Sequence, residues 1–352
     1  MKRRQLLIYG SYGYTGNLIA KRASEEGLDV LLSGRDESKL QVQAERLNLP
    51  YQKAALGSEP EMDSVLSQAE VLLNCAGPFV HTWKPAAEAC LRNSCHYLDI
   101  TGEIPVFESL KKWSDRFEEK GIMAIPGSGF DVVPTDCTAA YLHSLMPDAT
   151  RLELAFKGLG GGVSRGTAKT MVENLGSGGA IRKNGLIKNV PGAYKVRSIT
   201  FIDKEEAAVS IPWGDVSTAH FSTGIDNIVV YIAMPEKVIK KMKWLNYINL
   251  FVSMGFVKRY LKSRIDKQPP GPDAEQREQG RSVIWGEVEN AAGEKKYAIL
   301  QTSEGYRLTA EISIEIAKRV LNSDFKTGYQ TPSSAYGYEL IFDIENSEWI
   351  KN

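Results

Sequence analysis

Near its start the chain reads Leu6-Leu7-Ile8-Tyr9-Gly10-Ser11-Tyr12-Gly13-Tyr14-Thr15-Gly16, an apolar run followed by three glycines. It continues with Asn17-Leu18-Ile19-Ala20, which has the pattern of a helix. Strand, glycine turn and helix in this order are what the binding of a dinucleotide pyrophosphate requires, with the phosphates at the positive end of the helix dipole. We therefore predict a dinucleotide site formed by Gly10, Ser11, Tyr12, Gly13, Tyr14, Thr15 and Gly16.

The end of the second predicted strand indicates which dinucleotide is bound. This strand spans residues 29–33 and is followed by Gly34 and Arg35. An NAD site presents an acidic side chain here to the ribose hydroxyls, whereas a guanidinium can pair with the 2′-phosphate of NADP. Asp36 comes later and is predicted to cap the next helix, and the alternative for Arg35 is a solvated loop residue. We predict NADP(H) as the cofactor, with contacts from Ser33, Gly34, Arg35 and Lys39.

Strands and helices continue to alternate up to about residue 136. Further strands are predicted over 70–74, 96–100 and 121–125, and helices over 63–68, 85–93 and 106–120. Such crossover units form a parallel sheet whose ligands collect at the carboxyl ends of the strands. The loops 75–81, 101–103 and 126–136 are therefore expected to line one cleft. Within it, the nicotinamide ribose is expected to contact Cys75, Ala76, Gly77 and Pro78.

From about residue 151 the pattern changes to strands with period-two alternation, predicted over 152–156, 195–201, 227–232, 282–288 and 297–302. Alternation of this kind favours an antiparallel or mixed sheet. The predicted fold class is therefore α/β, with an N-terminal Rossmann-type parallel sheet and a second α+β domain of mixed or antiparallel sheet. Ser164 is expected to cap a helix through Met171 and Leu175. Residues 268–279, rich in proline and charge, are expected to be a mobile surface loop.

The overall composition excludes several classes of protein. The chain has 352 residues, enough for about two domains, and 43 basic residues balance 43 acidic ones, so net charge gives no support for a nucleic-acid partner. Four cysteines without CxxC spacing favour reduced, buried thiols. The histidines have no metal-ligand spacing, so no metal is predicted. No apolar run reaches the roughly 18 residues of a membrane span, and a cytoplasmic location is expected.

One segment departs from this charge balance. Between Lys237 and Ile265 there are eight lysines and arginines and no acidic residue, around an apolar centre from Trp244 to Val257. A basic amphipathic stretch of this kind can lie on a membrane surface, which would make the protein peripheral to a membrane, or dock an acyl-carrier protein or acyl substrate. The alternative is a helix that packs on the core with solvated lysines.

Hydride transfer is performed by the cofactor, so the protein has to orient it, exclude water and move one proton. By fold position the candidates for proton transfer are Tyr97, Asp99, Asp131 and Asp136, with His81 as a more distant one. The alternative for Asp99 and Asp131 is to cap helices or accept backbone hydrogen bonds, and Cys75 is expected to pack in the core. In the second domain, a helix start could hold a substrate anion. The residues proposed for substrate contact are Arg165, Thr167, Trp213 and Asp215, and the alternative for them is a surface position or interdomain packing.

Taken together, these motifs resemble the saccharopine dehydrogenase-like oxidoreductases, which include saccharopine reductases and the trans-acting enoyl reductases of bacterial lipid synthesis. The motifs that carry the resemblance are Gly10 to Gly16, Ser33 to Arg35 with Lys39-Leu40, Asn74 to Pro78, Tyr97 to Glu103, Pro126 to Asp136, Ser164 to Thr167, Ile211 to Asp215 and Gln330 to Gly337. The resemblance implies an NADP-binding Rossmann domain over 1–135, a second domain over 136–325 inserted across the cleft, and a C-terminal segment over 326–352 that packs back on the first. Residues 79–85 depart from the smaller, glycine-containing loop expected there.

The predicted function is an NADPH-dependent oxidoreductase that transfers a hydride to a C=C or C=N bond. An enoyl reductase acting on lipid-linked acyl chains is one version, suggested by the basic apolar segment. A dicarboxylic amino acid as substrate would need a pair of arginines to bind its two carboxylates, and Arg165 and Arg182 are the candidates for that pair. The alternative is a non-catalytic NADP(H)-binding regulator or membrane-surface scaffold. The substrate is a small molecule or an acyl chain that the sequence does not identify, and a homodimer is compatible with the sequence.

Overall fold

The computed structural model describes residues 5–248 and 254–351, and the chain divides into two compact units. The first unit holds Met1–Val133 and Tyr306–Tyr336, and the second holds Pro134–Gly305 and Gly337–Asn352. The first boundary lies two residues from the predicted one. Two later stretches differ from the prediction, because residues 306–325 group with the first unit and residues 337–352 group with the second.

Strands and helices alternate in the amino-terminal part of the first unit. The strands are short and buried, except for the outer strand β3 and for His96 at the start of β5, as expected for a parallel sheet covered on both faces. In chain order the elements are β1 (Leu6–Tyr9), α1 (Tyr14–Glu25), β2 (Val30–Gly34), α2 (Glu37–Leu47), β3 (Tyr51–Lys53), α3 (Glu59–Leu66), β4 (Val71–Asn74), α4 (Phe79–Asn93), β5 (His96–Asp99), α5 (Ile104–Lys111), α6 (Ser114–Glu119) and β6 (Met123–Ile125).

Longer strands build the second unit. Their order along the chain is β7 (Ala149–Leu159), β8 (Gly179–Lys183), β9 (Leu186–Val190), β10 (Val196–Thr200), β11 (Glu205–Ser210), β12 (Asn227–Ala233), β13 (Arg281–Asn290) and β14 (Lys295–Ser303). The helices are α7 (Val133–Leu145), α8 (Arg165–Glu173), α9 (Asp215–Thr223), α10 (Glu236–Leu245), a 3₁₀ turn (Asn246–Ile248), α11 (Gly255–Ile265) and α12 (Ala274–Gln279).

The remaining elements return first to one unit and then to the other. The first unit receives α13 (Gly305–Leu321), β15 (Gly328–Tyr329) and α14 (Pro332–Tyr336). The second receives a 3₁₀ helix (Tyr338–Asp343) and β16 (Glu348–Lys351).

The sheet of the first unit has the strand order β15-β6-β5-β4-β1-β2-β3, and every pair in it is parallel. Apart from the added β15, this is the doubly wound order of dinucleotide-binding folds. The order reverses between β1 and β4, so the loops after these two strands open a crevice at their carboxyl ends. The predicted Rossmann-type fold is confirmed.

Helix α13 packs on the first unit through tertiary contacts that its own sequence does not predict. The hydroxyl of Thr309 accepts a hydrogen bond from the Phe130 backbone N–H at 3.0 Å. Lys318 Nζ lies 3.0 Å from Glu26 Oε2 at the end of α1. The ring of Tyr306 meets that of Tyr14 edge to face, with centroids 5.1 Å apart. These contacts explain why residues 306–325 belong here rather than with the second domain.

The second unit contains a nine-stranded mixed sheet, as predicted, with the main order β10-β11-β12-β7-β13-β14-β16 and with β8 and β9 attached at β12. Among the described strands of this second sheet, only β12 and β7 pair in parallel. Arg197 on β10 donates to Glu287 on β13 at 2.8 Å, although three strands separate these two. Four strand spacings would put them about 19 Å apart in a flat sheet, so the sheet must curl on itself.

Several local predictions need correction. Helix α4 begins at Phe79 and not at Pro85, so the expected loop 79–84 is helical, and the helix predicted over 106–120 is two helices. The second half of the expected mobile loop 268–279 is α12, closed by a capping box of Asp273 and Gln276. Pro85 has no N–H, which is typical of a helix start, and Asp273 and Gln276 have the spacing of a capping box within a segment otherwise rich in proline and charge. The predicted caps Asp36 and Ser164 are confirmed.

We expect Thr309→Val to lower the free energy of unfolding by about 1 kcal/mol, because it removes the acceptor of the Phe130 N–H and keeps the side-chain shape. Urea denaturation measures the effect. Thr327→Val, at an exposed position of the same unit, is the matched control and should change stability by less than about 0.5 kcal/mol. Equal effects of the two substitutions would contradict the role given to Thr309.

Candidate nucleotide site

The turn after β1 has no room for side chains at two of its glycines. Gly10 has a φ of +74°, and a Cβ there would lie 2.9 Å from Ala76 Cβ. A Cβ at Gly16 would lie 2.5 Å from the Gly10 carbonyl oxygen. The backbone of the turn, the first turn of α1 and the loop after β4 therefore come together as a dinucleotide site requires.

The amino terminus of α1 is open to an anion. Its N-cap, Gly13, makes no side-chain capping bond, and the first turn contains no acidic residue. By contrast, Asp36 caps α2 and accepts from the Lys39 N–H at 3.2 Å. The first N–H groups of a helix have no intrahelical acceptors and lie at the positive end of its dipole. This terminus therefore fits a pyrophosphate better than the capped α2 does.

Ser11, predicted as a cofactor contact, has its side chain in the core. Its hydroxyl donates to Gln43 Oε1 at 2.7 Å, and Gln43 Nε2 donates back to the Ser11 carbonyl at 2.8 Å. Both residues are buried. Ser11 therefore holds the turn against α2, and Gln43 is a supporting residue that sequence reasoning missed because it lies in the middle of a helix.

The tip of β2 presents the cation Arg35, and the nearest carboxylate, Asp36, is engaged as the cap of α2. Gly34 lies under the Tyr12 ring, since a Cβ there would be 2.6 Å from Tyr12 Cε1. Lys39 Nζ sits 5.6 Å from the centre of the same ring and pairs with Asp36 at 3.1 Å. Arg35 is exposed and makes no ion pair with any residue that the structure describes. Ser33 is buried, with its hydroxyl donated to the Gln52 carbonyl, so Arg35 is the freer cation at this position.

The loop after β4 is held by side chains from three places. The Ala76 N–H donates to Asn74 Oδ1 at 3.1 Å, and the Thr82 hydroxyl donates to the Ala76 carbonyl at 2.7 Å. Glu103, from the loop after β5, accepts the N–H groups of Phe79 and Val80 at 2.9 Å each. Because Pro78 precedes α4 and supplies no side-chain cap, Glu103 caps this helix and fixes residues 75–78.

Tyr97 and Asp99, both predicted for proton transfer, form one buried hydrogen-bonded group. Asp99 accepts the Tyr97 hydroxyl at 2.6 Å, and its other oxygen accepts the N–H groups of Thr101 at 3.0 Å and Gly127 at 2.9 Å. Burial raises the pKa of Asp99 to about 6 although these bonds lower it. With all three donors engaged, Asp99 fastens the loops after β5 and β6, and Tyr97 is fully enclosed.

Asp131 differs from Asp99 in having no fixed partner. It is partly buried, and it makes no hydrogen bond or ion pair within the described parts of the chain. Its carboxylate occupies the space beside Gly102, where a Cβ would lie 2.8 Å from Asp131 Oδ2. Burial raises the pKa of Asp131 to about 7, and the Glu103 carboxylate adds to the rise. Asp131 can therefore gain or lose a proton near neutral pH.

The other predicted candidates are less suited to proton transfer. Burial raises the pKa of the Cys75 thiol, with a further contribution from Asp99, so this thiol is poorly suited to act as a nucleophile. Asp136 belongs to the second unit, where it is buried and accepts from the Ser222 hydroxyl at 2.5 Å. His81 is exposed on α4.

The residues predicted for substrate contact lie in the second unit and are mostly occupied there. Asp215 is fully buried and accepts from the Thr135 hydroxyl at 2.9 Å, so its prediction as a wall residue is wrong. Arg165 donates to the Asp266 carbonyl at 3.3 Å, and the Thr167 hydroxyl lies 3.1 Å from that of the cap, Ser164. Trp213 packs on Phe156 with ring centroids 4.8 Å apart. Arg165, Thr167 and Trp213 as substrate contacts remain predictions.

Residues 5–248 and 254–351 contain neither a metal-binding cluster nor a membrane-spanning helix. No group of three His, Cys, Asp or Glu side chains is arranged as a metal site there. Within the same residues, no helix combines the length and apolar character needed to cross a bilayer. The predicted cytoplasmic location stays a prediction.

Comparison with known families matches residues 6–125 to the saccharopine dehydrogenase NADP binding domain. This range runs from β1 to β6 and covers the glycine turn, the tip of β2 and the loop after β4. The match confirms the predicted NADP(H) cofactor and the predicted family resemblance.

Two relatives and one solved structure show how far the similarity extends. The chain is 28% identical over 211 residues to the rat saccharopine dehydrogenase-like oxidoreductase, covering 53% of this chain and 49% of that protein. It is 27% identical over 184 residues to a putative trans-acting enoyl reductase of Mycobacterium tuberculosis, covering 48% of this chain and 44% of that protein. The chain spans about half the length of the curated relatives it matches first.

The solved structure is the apo saccharopine dehydrogenase (L-Glu forming) of Saccharomyces cerevisiae. It has a TM-score of 0.65 and 12% sequence identity, and covers 97% of this chain and 96% of that one. At this identity the similarity shows the fold and nothing about the substrate.

We expect opposite effects on stability at the two aspartates. Asp99→Ala leaves three donors in the core without an acceptor and should lower the free energy of unfolding by about 3 kcal/mol or more. Asp131 has a raised pKa, so its stabilising contribution is complete below its unfolded pKa of about 4 and is lost as the pH rises through about 7.

Asp131→Asn, which cannot ionise, should therefore gain about 1–2 kcal/mol relative to the native chain when the pH is raised from about 5 to about 8. Urea denaturation at both pH values measures this difference. A pH-independent effect of Asp131→Asn, or a stable Asp99→Ala protein, would contradict these assignments.

Proposed function

We propose that the chain, whose residues 6–125 match the saccharopine dehydrogenase NADP binding domain, is an NADPH-dependent oxidoreductase. It would transfer a hydride to one atom of a C=C or C=N bond, while a proton goes to the other atom. NADPH supplies the hydride when bound, and the protein provides orientation, exclusion of water and the proton.

The observation that carries the proposal is Arg35 at the tip of β2. It is exposed and without an ion pair among the residues described, at the place where an NAD site would present a carboxylate. The guanidinium fits a 2′-phosphate as a bidentate, charge-assisted partner. The uncapped start of α1 supports the same cofactor by accepting the pyrophosphate.

Asp131 is the proposed proton donor. It lies in the first unit, next to the loop after β5, and the pKa of about 7 leaves it protonated in a useful fraction at neutral pH. The loop after β4, fixed by Asn74, Thr82 and Glu103, is proposed to hold the nicotinamide ribose through the backbone of Cys75, Ala76 and Gly77. Tyr97 and Asp99 would then act as supporting residues rather than as proton donors.

For the substrate we propose an enoyl group on a lipid-linked acyl chain. The similarity to a putative trans-acting enoyl reductase supports this choice. A dicarboxylic amino acid is less favoured, because Arg182 is buried and donates to the carbonyls of Val216 and Gly185 at 2.8 and 2.6 Å. Arg182 is therefore not available to form, together with Arg165, the pair that would bind two carboxylates.

We expect Arg35→Ala to weaken NADPH binding about 10–100-fold, since it removes a charge-assisted pair worth about 1.5–3 kcal/mol, and to leave NADH binding unchanged. Calorimetric titration with both nucleotides measures this. Arg22→Ala, which removes an arginine in the last turn of α1, is the matched control and should leave both affinities unchanged. Tighter binding of NADH than of NADPH by the native protein would refute the cofactor assignment at Arg35.

We expect turnover of enoyl thioesters with NADPH, followed at the nicotinamide absorbance, and a rate that falls as the pH rises above about 7 because Asp131 loses its proton. Asp131→Asn should lower kcat about 100-fold or more and leave NADPH affinity unchanged. A panel of imines and ketones tests the wider bond class. Tight NADPH binding without turnover of any of these substrates would favour the non-catalytic regulator instead.

A further inference from the structure

One side of α10 carries three lysines and an exposed aromatic ring. Lys237, Lys240, Lys241 and Trp244 have the spacing i, i+3, i+4, i+7 and so lie on one side of the helix; we call them the α10 stripe. All four are exposed, Trp244 to 57%, and Tyr247 in the following turn is 87% exposed. Exposed tryptophan and tyrosine rings beside lysines do not stabilise the fold and are typical of a binding surface.

The opposite face of α10 explains how the helix is attached. Ile239 is buried in a small apolar cluster with Ala193 and Val209, and Met242 packs against it. The side chain of Asn246 accepts the Gly192 N–H at 3.1 Å and donates to the Gly192 carbonyl at 2.8 Å. The core of the second unit therefore holds the inner face, and the α10 stripe contributes nothing to that attachment.

The lysines of the stripe lack strong partners within the unit. Lys240 lies 3.8 Å from Glu236, but both side chains are about three-quarters or more exposed, and such pairs contribute little. Lys237 and Lys241 make no ion pair among residues 5–248 and 254–351. Because the whole chain is neutral, this positive surface is local and acts over about one Debye length.

We propose that the α10 stripe docks on an anionic lipid surface, with its lysines at the headgroups and Trp244 and Tyr247 in the interfacial layer. Lysine is a hydrated point charge on a flexible stem, which suits diffuse headgroup charge. Tryptophan and tyrosine rings, apolar at one end and polar at the other, suit the boundary between headgroups and acyl chains. The charge complementarity thus favours a lipid surface over an acidic protein. Nothing in this inference depends on the proposed enzymatic activity.

The test is co-sedimentation of the full chain with phosphatidylcholine vesicles, with and without about one quarter phosphatidylglycerol, at about 0.1 M and about 1 M salt. We expect binding only to the anionic vesicles and loss of binding at high salt. Changing Lys237, Lys240 and Lys241 together to Gln should weaken binding about 100-fold, at about fivefold per lysine. The same change at Lys183, Lys188 and Lys204, exposed lysines of the second unit, alters net charge equally and should have little effect.

A second readout places the aromatic ring. Quenching of tryptophan fluorescence by brominated lipids should occur with the native chain and be lost in Trp244→Phe, while NADPH affinity stays unchanged as a check of folding. Equal binding to neutral and anionic vesicles, no binding to either, or equal binding by the two triple variants would overturn the proposal. So would binding of an acidic acyl-carrier protein through these lysines without binding of vesicles.

Discussion

The crowding of backbone around Gly10 governs the first unit. The Gly10 carbonyl oxygen occupies the space that a Cβ at Gly16 would need, and Ala76 occupies the space beside Gly10 itself. Three segments can approach so closely only because residues 10 and 16 lack side chains and because β1 and β4 are neighbours in the sheet. The amino terminus of α1, the tip of β2 and the loop after β4 then surround one crevice, so a small number of residues is enough to form the nucleotide site.

Carboxylates near this crevice have different roles because their surroundings differ. Glu103 accepts two backbone N–H groups and serves as the cap that Pro78 cannot provide. Asp99 accepts three donors and fastens two loops. Asp131 accepts none among the residues described, and burial places its pKa near neutrality. A carboxylate without hydrogen-bond donors, such as Asp131, therefore remains available for proton transfer. Glu103 and Asp99, which accept several donors, have structural roles.

Local signals allowed much of this to be predicted from the sequence. The glycine turn, the parallel strands, the position of Arg35 and the caps Asp36 and Ser164 all depend on residues close together in the chain. The prediction of an α/β protein with a second, mixed sheet rests on hydrophobic periodicity, which is also local.

Features that depend on distant partners could not be predicted in this way. Glu103 caps a helix that starts more than twenty residues earlier, and Asp215 is buried against Thr135. Helix α13 gives no sign in its own sequence that Thr309 bonds to Phe130. In each case the pairing is set by the tertiary fold, and a residue type that suits a binding site equally suits the interior.

The first unit is formed from two stretches of the chain that are separated by most of the second unit, and this has a consequence for synthesis on the ribosome. The outer edge of β6 is completed by β15, which pairs with it through Gly328 and Tyr329, so residues 134–305 of the second unit are translated before that edge is covered. Until then the nascent chain carries an open strand edge, which is a site for unwanted pairing with other chains. Chaperone protection during elongation, rather than stepwise domain-by-domain folding, therefore suits this architecture.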